Sequence, residues 1–332
     1  MFFRSKLLLP LMLLCLLPAP GYGQGFGVYM EVADVEGSSV GETSARAEAA
    51  VAEAGWTLLA AYDAGVDGDD CSFTARVLVV DWPEYTRAVM SQGDHGAFAA
   101  PLRISVFEDE MGVHVAAVNP RSINRTIVSE EGMEQEWSRF AAILRRTLAE
   151  GVGASPAFGD FGQFRDRGLI GKTMGVMAGG PFLEKIKEIG TVPAGEGGVE
   201  AVAQSLFDDL GAAAPGDDWG IRPVFLMNPS PGVVVLGVTG ERMEARSFSI
   251  VGRGSDKSRS RFACPGLDHA AAYPIEVVLT EDGDQVKVSV VDAMFRMKMF
   301  FEDAGKLKFA RNMTMPGSIE DEIRALIQAA LF

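Results

Sequence analysis

The segment PLRISVFEDEMGVHVAAV, at residues 101–118, decides the fold because a second segment of the chain repeats its pattern. The second segment is PIEVVLTEDGDQVKVSVV, at residues 274–291, and the two align without gaps. Each predicts an apolar strand, an acidic turn and a second apolar strand, and each follows an Asp-His pair. Two copies of one hairpin predict two related domains.

The sequence around each hairpin predicts further strands and helices. Before the first hairpin we expect a strand, a helix, two strands and a short helix, and after it an amphipathic helix at residues 135–150. This order predicts the α+β class, with each domain a small antiparallel-rich sheet that has helices packed on one face. In the second half, the alternating residues 245–251 predict a strand.

Composition sets the expected domain boundaries. Residues 24–150 form the first predicted domain and residues 196–332 the second. Residues 151–195 are dense in glycine and lack a sustained period, so they predict a linker or a long loop.

The first 23 residues predict a secretory signal peptide. Two basic residues come first, an apolar run from Leu7 to Leu17 follows, and small residues end the segment. The run is too short to span a bilayer, and no later stretch approaches the length that a spanning helix needs. We therefore expect an exported protein, in a bacterial periplasm, that is not an integral membrane protein.

Charge and motifs exclude several classes of function. The 332-residue chain has 30 basic and 45 acidic residues, a net charge of −15, which disfavours binding to nucleic acid. Its glycine-rich stretches lack the flanking strand and acidic residue of a nucleotide site, and no HExxH motif occurs. We therefore predict no cofactor, no metal and, on balance, no catalysis.

Two cysteines, Cys71 and Cys264, remain after the predicted leader. Export permits a disulfide, and two cysteines allow one pairing. A bond would join the two predicted domains, whereas two buried thiols explain the residues equally well. The sequence leaves both alternatives open.

The stretch PLRISVFEDEMGVHVAAVNP, at residues 101–120, resembles the core of the family known as domain of unknown function 302. The second hairpin, followed by FRMKMFF and PGSIEDEIRALIQAAL, is similar to more divergent members. The chain departs from the family in having Asp81-Trp82-Pro83 after the third strand and Leu102 where many members have Cys. The resemblance implies a compact α+β fold. It implies no catalytic residue, because the family has no established activity.

The leading functional prediction is a binding module for a small apolar or amphipathic ligand, or for another exported protein. We expect a groove between the two domains, beside the apolar segment 294–301 and a basic loop. The candidate ligand-binding residues are Met294, Met297, Met299, Phe300, Arg259, Arg261, His95 and His269.

Two alternatives come from other classes of function. The methionines could hold Cu(I), which prefers thioether ligands, in a copper or redox-handling protein. The two Asp-His pairs could instead serve a hydrolase, with histidine as the base. Against the second alternative, neighbouring residues of a strand point apart, so we expect neither aspartate to orient its own histidine.

Overall fold

The computed structural model describes residues 26–68, 71–128, 132–165, 179–213, 218–251, 262–301 and 306–331. These residues form two bodies, each an antiparallel sheet with helices. The predicted leader, residues 1–23, and the candidate residues Arg259 and Arg261 lie outside the described residues.

The first body has a sheet of six strands. The strands are β1 (Phe26–Val35), β2 (Thr57–Asp63), β3 (Ala75–Asp81), β4 (Leu102–Asp109), β5 (Gly112–Val118) and β6 (Asp160–Arg165). The helices are α1 (Val40–Glu53), α2 (Pro83–Met90), α3 (Pro120–Ile127) and α4 (Glu134–Val152), and the first 3-10 segment is Asp94–Phe98. The strand order is β2-β3-β4-β5-β1-β6.

The second body has a sheet of five strands. The strands are β7 (Ile186–Pro193), β8 (Arg222–Ser230), β9 (Val233–Thr239), β10 (Ile275–Asp282) and β11 (Gln285–Val291). The helices are α5 (Gly198–Ala212), α6 (Glu241–Val251), α7 (Ala293–Phe301), α8 (Lys306–Arg311) and α9 (Met315–Leu331), with 3-10 segments at Phe182–Lys185 and Pro265–Ala272. We call Pro265–Ala272 the second 3-10 segment, because it contains the second Asp-His pair as Asp94–Phe98 contains the first. The order β8-β9-β10-β11-β7 repeats that of the first sheet without β6.

Helix α1 illustrates how local sequence determines an element. Ser39 and Glu42 form a capping box, in which the Glu42 backbone N–H donates to Ser39 Oγ at 3.2 Å and the Ser39 N–H donates to the Glu42 carboxylate at 3.1 Å. The small residues Ala47 and Val51, at helical spacing, are fully buried, and the helix packs on β3 and α4.

Two predictions from the sequence are corrected by the structure. Residues 245–251, predicted as a strand, are the end of helix α6; the buried residues Met243, Ser247 and Ile250 follow helical spacing, whereas the alternation of Ser and apolar residues suggested a strand. The segment 151–195, predicted as a linker, contributes β6 to the first sheet and β7 to the second. Pairing with β1 and β11 satisfies the backbone groups of these glycine-containing strands.

The two bodies meet through their sheets and 3-10 segments. The second 3-10 segment packs on β3, β4 and β5, and the first packs on β9 and β10. A disulfide joins Cys71 to Cys264 with a Cα–Cα distance of 5.6 Å, which settles the alternative that the sequence left open. Within the described ranges, no helix has the length and apolar character needed to cross a bilayer.

Candidate functional site

A buried ion cluster, formed by Arg103, Glu276 and Arg296, lies where the two bodies meet. Arg103 on β4 pairs with Glu276 on β10, and the two positions are 173 residues apart, so they are equivalent in the repeated hairpin. Arg296 of α7 also reaches the Glu276 carboxylate, at 3.4 Å. All three side chains are buried, and burial in particular lowers the pKa of Arg103.

Phe300, a predicted ligand-binding residue, belongs to this interface. The guanidinium of Arg103 lies 4.7 Å from the centre of its ring, and that of Arg296 lies 4.9 Å away. Its backbone carbonyl accepts a hydrogen bond from the Tyr29 hydroxyl of the first body at 3.1 Å. Phe300 therefore fills the space in which the sequence predicted an open groove.

His269 is also part of the packed interface. It is 2% exposed, and its ring contacts Tyr29 and Phe161 of the first body and Phe301 of α7. Its Nδ1 lies 2.6 Å from Asp268 Oδ1. The expectation that Asp268 cannot orient its neighbour is wrong, because the pair lies in a 3-10 segment and not in a strand.

His95 has a different environment from His269. It lies in the first 3-10 segment, half buried, and burial lowers its pKa while Asp94 acts in the opposite direction. Asp94 is exposed, whereas Asp268 is buried. The two Asp-His pairs of the repeat thus have different surroundings.

A pocket lies inside the second body, between its sheet and helices α7 and α9. Its interior leaves about 30 Å³ for water-sized molecules, and the volume that includes its open side is about 440 Å³. The interior admits a water or the end of a small ligand. Its walls are Tyr273, Ile275, Val290, Val291, Ala293, Arg296, Met297, Phe301, Pro316, Ile319, Glu320 and Ile323.

One face of α7 supplies the helical wall of this pocket. Ala293, Arg296, Met297 and Phe301 have the spacing of residues on one side of a helix, so their side chains converge. Met297 is half buried and is the one residue of the predicted set found among the described lining residues.

The helical conformation of α7 separates the methionines that the copper alternative requires. Met294 and Met297 lie one turn apart on the same side, but Met299 is two residues further on and points about 200° away. Met299 is buried at 2% exposure, so the three thioethers do not surround one position. Among the described residues, no group of three or more His, Cys, Asp or Glu side chains could hold a metal ion.

Sequence reasoning missed two ionisable residues. Arg296 was not among the candidate residues, and helical spacing applied to α7 would have placed it on the same face as Met297. Glu244 was passed over because its helix was taken in part for a strand. It is 1% exposed, and burial raises its pKa to about 7.

The comparisons with known proteins cover part of the chain. A family model described as "Domain of unknown function DUF302" matches residues 33–151. The crystal structure of an uncharacterized conserved protein DUF302 from Bacillus stearothermophilus is similar at 16% identity and a TM-score of 0.29, over 39% of this chain and 96% of that chain. No curated protein matches the chain. Residues 33–151 are therefore a domain of the DUF302 family.

Proposed function

We propose that this is an exported, non-enzymatic protein that binds a small apolar or amphipathic ligand in the pocket between β10, β11, α7 and α9. The observation that carries the proposal is the lining, in which nine of the twelve residues are aliphatic, Phe, Met or Pro. Apolar walls with a few polar groups are typical of small-molecule sites.

Export is supported by two independent features. The first 23 residues have the composition of a secretory leader. The Cys71–Cys264 disulfide is of the kind that persists in oxidising compartments and is rare in the cytosol. We propose a bacterial periplasm as the compartment.

Binding accounts for the geometry better than hydrolysis does. A general base must come within hydrogen-bonding distance of its substrate, and His269 is enclosed by Tyr29, Phe161 and Phe301 at 2% exposure. The Asp268–His269 pair serves instead to join the two bodies, since its aromatic neighbours come from both. Catalysis at His269 would require the interface to open.

The proposal can be tested with an environment-sensitive dye, 1-anilinonaphthalene-8-sulfonate, and one pocket-filling variant. Ala293→Leu adds bulk at a half-buried lining position, so we expect dye fluorescence at saturation to fall at least severalfold. Ala310→Leu is the matched control, because Ala310 is an exposed residue of α8 that does not line the pocket. Equal fluorescence of wild type and Ala293→Leu would contradict the proposed site.

A further inference from the structure

The cation that lines the pocket, Arg296, shares its carboxylate partner with a second buried cation. Within the described residues, Arg103 and Arg296 both pair with a single carboxylate, that of Glu276. Among the residues that the structure describes, none pairs with the Nε of Arg103. Two buried guanidinium groups thus share one negative charge, and buried charges are costly unless they are paired.

Arg296 is the member of the ion cluster that reaches the pocket. Its Nη2 donates to the carbonyls of Ala272 at 2.6 Å and Pro274 at 2.9 Å, and to Glu276 at 3.4 Å. Its Nε also faces Glu276, at 3.4 Å. No acceptor for Nη1 is recorded in the described part of the chain, so this end of the guanidinium can serve a ligand in the pocket that it lines.

The acidic residue that lines the pocket, Glu320, already has cationic partners. Glu320 receives two hydrogen bonds of 3.0 Å from Lys187, one of 3.0 Å from Arg324, and one of 3.1 Å from the Ala293 N–H. Its carboxylate therefore has cationic partners of its own, and the charge left for a ligand to balance is positive. The remaining polar wall residue, Tyr273, has its hydroxyl 2.6 Å from Ser247.

We infer that the ligand is a small carboxylate with an apolar tail, whose carboxylate pairs with Arg296 while the tail packs against Met297, Ile319 and Ile323. This inference rests on the proposed function, because it names the ligand class of the same pocket. A guanidinium pairs with a carboxylate through charge-assisted hydrogen bonds, which are about twice as strong as neutral ones. The apolar walls favour an aliphatic tail over a second polar group.

The test compares three eight-carbon probes by isothermal titration calorimetry on the full-length mature protein. Octanoate is expected to bind on the order of tenfold or more tightly than 1-octanol, since it adds a charged hydrogen bond, and octylamine is expected to bind more weakly than either. Arg296→Gln is expected to remove the preference for octanoate over 1-octanol while leaving the binding of 1-octanol within about threefold.

The outcomes separate this inference from the proposal on which it rests. Equal affinities for octanoate and 1-octanol in wild type, both lost in Ala293→Leu, would overturn the carboxylate inference and leave the pocket intact. Binding of neither probe would overturn both. A preference for octanoate that persists in folded Arg296→Gln would exclude Arg296 as the partner. If that variant fails to fold, the comparison of octanoate with octylamine in wild type decides whether the pocket prefers a negatively or a positively charged ligand.

Discussion

Glu244 is the residue whose burial has the clearest energetic consequence. It lies on α6, where the Gly65 N–H of the first body donates to its carboxylate at 2.5 Å and the Thr239 hydroxyl donates to its other oxygen. Burial raises its pKa from the ordinary value of 4.5 to about 7, against the lowering effect of these hydrogen bonds and of Arg222. The ionised form is therefore unfavourable at the contact between the two bodies.

This pKa predicts how stability depends on pH. A folded-state pKa above the unfolded one means that the folded protein binds the proton more tightly, so the stabilisation is complete below about pH 4.5 and is lost as pH rises through 7. The loss is on the order of 3 kcal/mol. Between pH 5 and pH 8, the free energy of unfolding measured with urea is expected to decrease less in Glu244→Gln than in wild type. Glu241→Gln, an exposed control on α6, is expected to show the same decrease as wild type. An unchanged pH dependence in Glu244→Gln would exclude this assignment.

The ion cluster gives a second prediction at the residue scale. Glu276→Gln leaves the buried guanidinium groups of Arg103 and Arg296 without their carboxylate, so we expect a loss of about 3–5 kcal/mol in the free energy of unfolding. Glu281→Gln, on the exposed end of the same strand, is expected to stay within about 0.5 kcal/mol of wild type. Urea titrations measure both, and a mild effect of Glu276→Gln would mean that the cluster is not held as described.

At the scale of elements, both bodies use a glycine to bring a 3-10 segment against a helix. A Cβ on Gly96 would lie 2.2 Å from the Val89 carbonyl oxygen of α2, and one on Gly266 would lie 2.2 Å from the Phe248 carbonyl oxygen of α6. Backbone atoms cannot move aside as a flexible side chain can. These close approaches place each 3-10 segment where it contacts the other body.

Gly96→Ala should therefore destabilise the first body. We expect a loss of about 1–3 kcal/mol, as for overpacking at other crowded positions. Gly41→Ala provides the contrast, because Gly41 lies within α1 with nothing near its Cβ position, and alanine there should stabilise by up to about 1 kcal/mol. Thermal unfolding of both variants checks the opposite signs, and a neutral Gly96→Ala would refute the close approach.

The sequence predicts elements well where a periodic pattern lies on one face. The hairpins β4–β5 and β10–β11 and helix α4 were predicted to within two residues. The sequence does not predict strands β6 and β7, because tertiary contacts determine their conformation. Their glycine-containing segments become strands by pairing with β1 and β11. The location of the pocket was not predicted, because α7 was not recognised as a helix. Met297 was therefore assigned to a groove between the domains, a space that Phe300 and His269 fill.

At the scale of the whole molecule, the two bodies meet at equivalent positions of the repeated hairpin. Apart from β6, both sheets have the same strand order, and Arg103 meets Glu276, its equivalent in the other hairpin. Contact between equivalent positions is typical of an interface with two-fold symmetry. This arrangement supports the duplication that the repeated hairpin predicts.

The disulfide should stabilise this arrangement. Removing it in Cys71→Ser/Cys264→Ser is expected to cost about 2–5 kcal/mol, because the bond restricts the unfolded chain. The unfolding temperature of this double variant should fall to that of the reduced wild type, and adding a reductant should not lower it further. Equal unfolding temperatures for oxidised wild type and the variant would contradict a stabilising bond.

Native mass spectrometry on protein purified gently from its own compartment would show whether the pocket of the second body holds a small ligand. We expect a polypeptide mass that lacks the leader and two hydrogens, with one additional small-molecule mass that disappears in Ala293→Leu and remains in Ala310→Leu. A bound mass that survives in Ala293→Leu would contradict the pocket as its site. An unliganded protein that also takes up neither octanoate nor 1-octanol would contradict the binding function itself.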